Sequence, residues 1–476
     1  MDTPNKYLMV EYHLRQAIDG GLYRAEDKLP SIRQLSQTLN VGKNTVIRAY
    51  QELEAAGVVY AVEKSGYRVK STPSPQIPQQ PPRRVDLLSL SKEILTYRED
   101  KERLPLGSAH PNIDAPAIKS LYATIGRHSR LQSQMPSHYQ LPPGHNLLLQ
   151  QLVRISRDLG VPATLDDIAV TNGAQQAISL ALRALTKPGD IVAVESPCYF
   201  GNLLLMESLG LQVVEIPGCV RTGMDPTALA KALKRWDIRA ILVTPNFANP
   251  TGARMPLEKR LALLDASSGI PIIEDDVFGA LAFDEGIAPL AALASDERVI
   301  YVNSLSKTLD SRLRLGWLIA GCYQPEIEKL LICENMGSQN LIQSAAAEFL
   351  TTGKYRQHIN KMRRTYQHNQ RRLHQQLSDA LNRYSNLHKR FYLTQPDGGY
   401  LSWLLIDGEF DSEALYRACH EHKISLLPGT VFATSDGFRN ALRLSCAHYR
   451  DERHWQQGID KLARLISEYC CTKHTG

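Results

Sequence analysis

The sequence contains no apolar run of about 18 residues, the length that a transmembrane helix requires. Its first 16 residues, MDTPNKYLMVEYHLRQ, are charged throughout and lack the apolar core of an export signal. The eight cysteines are scattered, with no CxxC pair and no Cys/His spacing typical of metal ligands. These absences predict a cytoplasmic protein with reduced thiols, no metal site and no membrane partner.

A strong excess of charge is also missing. The chain has 55 Lys and Arg residues against 49 Asp and Glu residues, and its net charge of +6 argues only weakly for an anionic partner. Its 476 residues correspond to about three structural units. The 30 glycines and 26 prolines are too few for a fibrous or wholly disordered chain.

A proline-rich segment divides the sequence. Ser71–Pro82, STPSPQIPQQPP, holds five prolines in 12 residues, and proline interrupts both a regular helix and a central strand. In polyproline II conformation the segment would span roughly 37 Å, which favours a semi-rigid spacer over a surface loop inside one domain. We therefore predict a domain at 1–71, a linker at 72–92 and a second domain at 93–476. The second domain divides into a large part at about 105–335 and a small part at about 340–476.

The residues before the spacer follow the pattern of a winged helix-turn-helix, an α+β fold. A first amphipathic helix ends at a Gly-Gly pair, and Ser31 and Gln34 form a capping-box pattern that opens a second helix. A short turn at 40–42 separates it from a third helix, which in this fold enters the major groove of DNA. Apolar segments at 58–60 and 67–69 then predict a β-hairpin.

Polar and basic side chains on these elements are the candidate DNA contacts, because their functional groups reach phosphates and base edges. The predicted contacts are Ser31, Arg33, Lys43, Asn44, Thr45, Arg48 and Lys64. Two alternatives stay open. Arg33 and Arg48 taken singly are also compatible with solvated surface charges, and a winged helix can serve protein contacts alone.

This region resembles the N-terminal domain of GntR-type regulators. The resemblance rests on KLPSIRQL at 28–35, LEAAG at 53–57 and SGY at 65–67. Gly42-Lys43 stands where the family usually has Ser-Arg. Glycine is a weaker N-cap than serine, and lysine lacks the bidentate fork of arginine. The resemblance thus implies DNA binding and leaves the operator preference open.

After the spacer, apolar runs alternate with amphipathic helices. The runs at 190–195, 239–244, 271–274 and 298–303 are bounded by turn signals, which is typical of a mostly parallel α/β sheet. From about residue 340 helices dominate, and strand-like segments return at 400–405 and 441–445, which predicts a smaller α+β part. Open α/β sheets bind ligands beyond the carboxyl ends of their strands, so polar residues at these ends are candidate binding groups.

Several polar groups lie at such ends. Lys307 follows a strand within NSLSKT, Asp275 ends another strand, and Asn249 belongs to an NPTG segment. TNGAQ at 171–175 opens a helix whose N-terminus favours an anion, and Arg314 comes seven residues after Lys307. An amine, a carboxylate, a polar donor and an anion cradle are the groups that a pyridoxal phosphate site requires.

The order of these motifs resembles the fold-type I aminotransferases over roughly residues 100–470. The resemblance implies that Lys307 forms the Schiff base with pyridoxal 5'-phosphate, that Asp275 pairs with the ring nitrogen, and that Asn249 bonds the phenolic oxygen. It also implies that Tyr199 stacks on the ring and that Arg443 binds the α-carboxylate of a substrate or effector. The residues that it assigns to the phosphate group are Ala174, Gln175, Ser304, Ser306 and Arg314.

Phe278 departs from that pattern, because many family members have a tyrosine there whose hydroxyl reaches the phenolic oxygen. The phenylalanine lacks this hydroxyl, which removes one polar contact to the ring. Tyr139 precedes Pro142-Pro143-Gly144, where the family often has a tyrosine that contributes to a neighbouring site. The structural alternatives are that Tyr199 is an ordinary core residue and that Ser304 and Ser306 are turn residues.

Together the two halves resemble MocR-type transcriptional regulators. This multidomain architecture joins an α+β winged helix-turn-helix to an α/β fold-type I large domain with a smaller α+β C-terminal subdomain. The resemblance implies a homodimer in the bacterial cytoplasm that binds double-stranded operator DNA and senses a small amino compound or pyridoxal phosphate itself. One rival hypothesis is a metabolic aminotransferase acting on an amino acid, with a vestigial DNA-binding domain. Another is a DNA-binding protein with an inactive cofactor site. Whether a residual aminotransferase half-reaction occurs stays open.

Overall fold

The computed structural model describes residues 6–19, 23, 27–62, 66–70, 80–85, 87, 103–134, 139–267, 269–435 and 437–470. The chain forms two compact units, Met1–Pro75 and Gln76–Gly476. Most of the predicted spacer lies outside the described residues. Among the residues that are described, no helix is long and apolar enough to cross a membrane.

The first unit is a winged helix-turn-helix, as its sequence pattern predicts. Three helices precede an antiparallel hairpin in which Val59 pairs with Val69. The elements are α1 (Lys6–Asp19), α2 (Ile32–Thr38), α3 (Lys43–Ala55), β1 (Val59–Val62) and β2 (Gly66–Val69).

One apolar core holds these elements together. The inward face of α3, which includes Val46 and Leu53, is buried against Leu14 of α1. Tyr50 stacks on Tyr67 with their ring centroids 4.3 Å apart, and its hydroxyl donates a hydrogen bond to a backbone carbonyl before α2. The stacked pair therefore fixes the hairpin against the third helix.

Helix α2 begins with the predicted capping box. The Gln34 amide donates to Ser31 Oγ over 3.3 Å, and the Ser31 amide donates to Gln34 Oε1 over 2.9 Å. Both bonds satisfy amides that a seven-residue helix would otherwise leave unpaired.

We expect Ser31→Ala to destabilise α2 by about 1 kcal/mol, because the cap accepts one of its orphan amides. Hydrogen exchange of the full chain measures this as a roughly fivefold loss of amide protection across residues 32–38. Gln37→Ala, which changes an exposed residue of the same helix, is the matched control. Unchanged protection in Ser31→Ala would show that the cap contributes nothing.

The second unit contains a nine-stranded mixed sheet with the spatial order β3-β7-β6-β9-β10-β11-β12-β5, in which β8 pairs with β7. Strands β7, β6, β9, β10 and β11 are parallel to one another, which confirms the mostly parallel α/β prediction, and the remaining pairings are antiparallel. The strands are β3 (Arg83–Arg84), β5 (Ile168–Thr171), β6 (Ile191–Ser196), β7 (Gln212–Cys219), β8 (Gly223–Met224), β9 (Ile238–Val243), β10 (Ile272–Asp275), β11 (Val299–Ser304) and β12 (Gly316–Ile319).

Helices cover both faces of this sheet. Val192 and Val194 of β6 belong to one buried cluster, whereas Ala193 between them belongs to another, so successive side chains enter opposite cores. The helices of the second unit are α4 (Pro116–Gln132), α5 (Asn146–Asp158), α6 (Ala174–Leu185), α7 (Phe200–Ser208), α8 (Pro226–Arg235), α9 (Leu257–Ala266), α10 (Leu290–Leu293), α11 (Gln324–Asn335), α12 (Asn340–Thr351), α13 (Lys354–Asn382), α14 (Ser412–Glu421) and α15 (Arg453–Tyr469).

The C-terminal part forms the predicted smaller α+β arrangement. An antiparallel sheet with the order β13-β14-β17-β16 packs with α13, α14 and α15. Its strands are β13 (Phe391–Leu393), β14 (Leu401–Ile406), β16 (Leu427–Pro428) and β17 (Ala441–Ser445). A separate two-stranded sheet joins β4 (Leu104–Pro105) to β15 (Ile424–Ser425).

The edge strand β3 was not predicted from the sequence. It lies inside the segment 72–92, for which the sequence analysis predicts a linker. Arg83 pairs with Val213 and Arg84 pairs with Gln212, so these residues belong to the large sheet. An edge strand bonds to a single neighbour and therefore tolerates the prolines that precede it. Two arginines carry no apolar alternation, which explains why the sequence pattern does not reveal this strand.

Candidate functional site

The first unit exposes most of the predicted DNA-reading side chains. Arg33 on α2 is exposed, as are Lys43 and Asn44 in the first turn of α3, whereas Thr45 is half-buried. Ser31 is also exposed, although its hydroxyl caps α2. These exposed donors lie on the two helices of the helix-turn-helix.

Arg48 is placed differently, and Lys64 lies outside the described residues. The Arg48 guanidinium lies 4.1 Å from the ring centroid of Tyr7 on α1, and its Nε is 4.0 Å from Glu52 Oε1. The side chain is nevertheless 60% exposed. Arg48 therefore packs against the first helix while it keeps a solvent-facing surface.

The second unit contains a cavity of about 180 Å³ at the carboxyl ends of β6, β9, β10 and β11. All the residues that sequence reasoning assigned to the cofactor line this cavity. They are Ala174, Gln175, Tyr199, Asn249, Asp275, Ser304, Ser306, Lys307 and Arg314. The sheet thus brings together side chains from six separate segments of the chain.

One end of the cavity is built to hold an anion. Gly173 precedes α6 with a φ of 87°. Because glycine has no side chain, no side chain at this position caps the first amides of the helix. A Cβ on Gly173 would lie 2.6 Å from Arg314 Nη2, which shows why glycine is needed where the guanidinium approaches. Ser304 Oγ and Ser306 Oγ lie 2.9 Å apart beside this end. Amides, hydroxyls and a guanidinium around a helix N-terminus are typical of a phosphate site.

Lys307 supplies the amine at the centre of the cavity. Its Nζ donates a hydrogen bond of 2.9 Å to the carbonyl of Ala109. Burial lowers the pKa of Lys307 to about 8, and the guanidiniums of Arg443 and Arg314 add to this effect. The carboxylate of Asp275 opposes it. A lysine with a lowered pKa has a larger neutral fraction and is a better nucleophile.

Asp275 places a buried carboxylate in the same cavity. Its Oδ1 accepts a bond of 3.3 Å from the Val277 amide. Burial raises the pKa of Asp275 to about 6, and this rise is partly offset by the Val277 amide and by Lys307. A cationic ring nitrogen next to Asp275 would favour the ionised carboxylate.

Arg443 is fully buried beside Asn249. Its Nη1 donates to Asn249 Oδ1 over 3.1 Å and its Nη2 donates to the carbonyl of Gly107 over 2.5 Å. Its Nε has no hydrogen-bond partner among the described residues. Burial lowers the pKa of Arg443 to about 10. Because the Asn249 oxygen accepts from Arg443, the amide nitrogen of Asn249 remains as a donor.

Phe278 makes the adjoining wall apolar. The Phe278 ring packs edge-on against Tyr400 with centroids 5.3 Å apart. The Tyr400 hydroxyl donates over 3.0 Å to the Ala109 carbonyl, which also accepts from Lys307. Tyr400 thus fixes the acceptor that orients the lysine, and it lies outside the motifs that sequence reasoning used.

Four polar lining residues were missed by the sequence analysis. His110 Nδ1 and Ser311 Oγ lie 2.8 Å apart at the cavity although 201 positions separate them, and no sequence signal predicts such a contact. Asn202 and Thr244 also line the cavity, and Asn202 Oδ1 is buried without a partner among the described residues. Asn202 comes three residues after Tyr199, so helical spacing was a usable signal for it.

The donor set of the cavity fits pyridoxal phosphate. The cradle at Gly173 suits the phosphate, Asp275 suits a protonated ring nitrogen, and the Asn249 amide suits the phenolic oxygen. Lys307 supplies the amine, and Tyr199 supplies a ring that borders the cavity. Among the described residues, the set lacks only the tyrosine hydroxyl that Phe278 replaces.

Comparison with known families matches both units. Residues 6–69 match the bacterial regulatory proteins of the gntR family. Residues 111–456 match aminotransferase class I and II.

Relatives of known sequence match the chain across both units. The uncharacterized HTH-type transcriptional regulator YjiR of Escherichia coli is 34% identical over 91% of this chain and 93% of its own length. The vitamin B6 salvage pathway transcriptional repressor PtsJ of Salmonella typhimurium is 30% identical over 85% of this chain and 86% of its own length.

A solved structure supports the fold of the second unit. LysN, an α-aminoadipate aminotransferase from Thermus thermophilus, matches over 80% of this chain and 94% of its own chain, with 26% identity and a TM-score of 0.70. Matches to regulators span nearly the whole chain, which favours a regulator over a metabolic aminotransferase. The chain belongs to the MocR-type transcriptional regulators, in which a GntR-family helix-turn-helix domain is joined to an aminotransferase class I and II domain.

Proposed function

We propose that this regulator binds operator DNA through its first unit and senses an amino compound, or pyridoxal phosphate itself, through the cavity of its second unit. The observation that carries the proposal is that one chain holds a winged helix-turn-helix and a cavity lined by both Lys307 and Asp275. An aminotransferase needs only the second of these. The proposed location is the cytoplasm, where operator DNA is found.

Within the cavity we assign each side chain a role. Lys307 attaches the cofactor covalently, Asp275 holds a proton on the ring nitrogen, and Asn249 donates to the phenolic oxygen. Tyr199 stacks on the ring. Ala174, Gln175, Ser304, Ser306 and Arg314 would hold the phosphate group at the N-terminus of α6. When bound, pyridoxal phosphate supplies an electron sink for chemistry at an amine-bearing carbon.

Arg443 defines the class of effector. A buried guanidinium with an unpartnered Nε among the described residues can bind a carboxylate in a charge-assisted bond. Arg443 bonds to Asn249, which lines the cavity together with Lys307, so a ligand with both an amine and a carboxylate would meet both groups. The printed name of PtsJ concerns vitamin B6 salvage, which supports the cofactor itself as the second candidate effector.

An exposed apolar patch supports a homodimer. Tyr139, Leu141 and Met336 are 74%, 53% and 57% exposed, and they flank a backbone bridge between Gln140 and Ser338. A contiguous apolar patch on a globular surface is typical of a protein interface. We propose that a second copy of this chain covers it, so that two winged helices meet two half-sites.

Regulation requires that the ligand bind two states of the regulator with different affinities. An effector that binds one of these states more tightly would change the balance between them. A coupling of 1–3 kcal/mol is typical and corresponds to about 5–150-fold in DNA affinity.

The experiment is a screen of amino acids for a change in the visible spectrum of the cofactor-loaded full chain. We expect Arg443→Gln to raise at least about 30-fold the concentration of a responsive amino acid that is needed for the spectral change. The reason is that loss of one partner of a buried charge pair costs about 2–5 kcal/mol of binding free energy. Arg239→Gln, which removes an exposed guanidinium paired with Asp237, is the control. An equal response in both variants would contradict the role of Arg443. Turnover at about 1 per second or faster would instead favour a metabolic aminotransferase.

A further inference from the structure

Helix α13 has an unusual charge. Over its 29 residues it carries seven Lys and Arg side chains and a single acidic residue, Asp379. A solvent-exposed helix ordinarily alternates charges of both signs, which form pairs four residues apart. Neither the cofactor cavity nor the winged helix uses this excess.

Part of the excess is concentrated on one face. Gln357, Lys361, Arg364, His368, Arg371 and Gln375 are all exposed and follow one another at spacings of three and four residues. We call these six residues the basic stripe. The opposite face, which includes Met362, Tyr366 and Leu373, is buried. At 1.5 Å per residue the stripe extends about 27 Å.

The other cations of the helix have partners, whereas those of the stripe form no ion pair with a carboxylate among the described residues. Arg356 pairs with Asp158 and Arg372 pairs with Asp451, and Arg363 Nε donates to the Ala280 carbonyl. The charge of the stripe is therefore not compensated within the described part of the chain.

We propose that the basic stripe binds the phosphate backbone of duplex DNA that flanks the operator. This inference rests on the proposed function, because it requires that the first unit holds the chain on DNA. Cationic side chains interleaved with neutral donors such as Gln357 and Gln375 are typical of phosphate contacts. A length of about 27 Å corresponds to roughly eight phosphates along one strand.

An acidic protein surface fits the stripe less well. Cores of protein interfaces are enriched in aromatic residues and methionine and depleted in lysine. All six residues of the basic stripe are polar or charged. The composition therefore favours a polyanion that is contacted through its phosphates.

The test compares two duplexes that share one core, selected by the full-length protein from a random library. The short duplex ends at the winged-helix footprint, and the long duplex adds about two helical turns on each side. For each we would measure the slope of log affinity against log salt concentration. We expect the triple variant Lys361→Gln, Arg364→Gln, Arg371→Gln to reduce the slope on the long duplex by about 2.7 for each copy of the chain that is bound, which is three contacts at 0.9 each.

For each bound copy, this slope change makes the loss of affinity between 50 and 200 mM salt about 40-fold smaller on the long duplex, with no change on the short one. The control variant Lys231→Gln, Lys234→Gln, Arg235→Gln removes the same charge from the exposed face of α8, and it should leave both slopes unchanged. An unchanged slope in the α13 variant overturns the inference in favour of an acidic protein partner. An equal reduction in both variants also overturns it, because bulk charge alone would then explain the effect. Failure of the unmodified protein to bind the short duplex contradicts the proposed function instead.

Discussion

Replacing Lys307 with alanine is expected to abolish covalent attachment of pyridoxal phosphate. Lys307 is the amine that lines the cavity, and its lowered pKa of about 8 increases the neutral fraction that can attack the cofactor aldehyde. The anion cradle at Gly173 is unchanged by the substitution, so the variant should retain weak, reversible binding of the phosphate. The measurement is the visible spectrum after gel filtration, together with the intact mass after borohydride reduction.

The matched control is Lys329→Ala, which removes a lysine that is 69% exposed on α11. That variant should keep the bound cofactor, the visible band and the added mass. If Lys307→Ala retained a borohydride-reducible link, another amine would be the attachment site and the assignment of the cavity would be wrong.

Substitutions in the first turn of α3 should have the next largest effect, on DNA affinity. Asn44 and Lys43 are exposed on α3, which corresponds to the helix that enters the major groove in helix-turn-helix proteins. Asn44→Ala is expected to reduce the free energy of DNA binding by 1–3 kcal/mol, which lowers the affinity about 5–150-fold. It should also relax the base preference at one position, since an asparagine reads a base edge. Lys43→Ala should weaken binding to all sequences similarly and reduce the salt slope by about 1, since a lysine contacts a phosphate.

Fluorescence anisotropy with the selected duplex and with single-base variants of it measures both effects. Lys6→Ala removes one exposed charge from α1 of the same unit and is the control. Equal affinity of all three variants for the selected duplex would show that this helix does not read DNA. A uniform loss in Lys6→Ala would assign the effect to net charge.

Local patterns predicted the parts of the fold in which each segment determines its own structure. The capping box at Ser31 needs two residues three positions apart, and both of its bonds are present. The central strands are short apolar runs between turn signals, and strand β17 at Ala441–Ser445 has the predicted bounds. Burial on both faces of a strand leaves this continuous apolar signal in the sequence.

Long-range placement was harder to predict. Arg83–Arg84 forms an edge strand through backbone pairing with β7, and this does not depend on the side chains of the two arginines. The Ala109 carbonyl accepts from both Lys307 and Tyr400, which are distant in sequence. Such contacts follow from how the large and small parts of the second unit pack, and no local period encodes them.

The residues that the resemblance assigns to the cofactor line one cavity because they lie at motif positions next to strand ends. Lys307 follows β11 and Asp275 ends β10, and adjacent parallel strands bring both to one edge of the sheet. The partners that complete the cavity, such as Asn202 and His110, lie outside these motifs. Sequence reasoning therefore named nine residues that line the cavity and missed other polar residues of its lining.

The central claim is that ligand binding in the second unit changes DNA binding by the first. The most direct test is the affinity of the full chain for the selected duplex with and without pyridoxal phosphate and a responsive amino acid, in the unmodified protein and in Lys307→Ala. We predict a change of about 5–150-fold in the unmodified protein, a reciprocal effect of DNA on ligand affinity, and a loss of both in Lys307→Ala. Identical DNA affinities of the loaded and unloaded unmodified protein, with cofactor occupancy verified by its spectrum, would contradict the account.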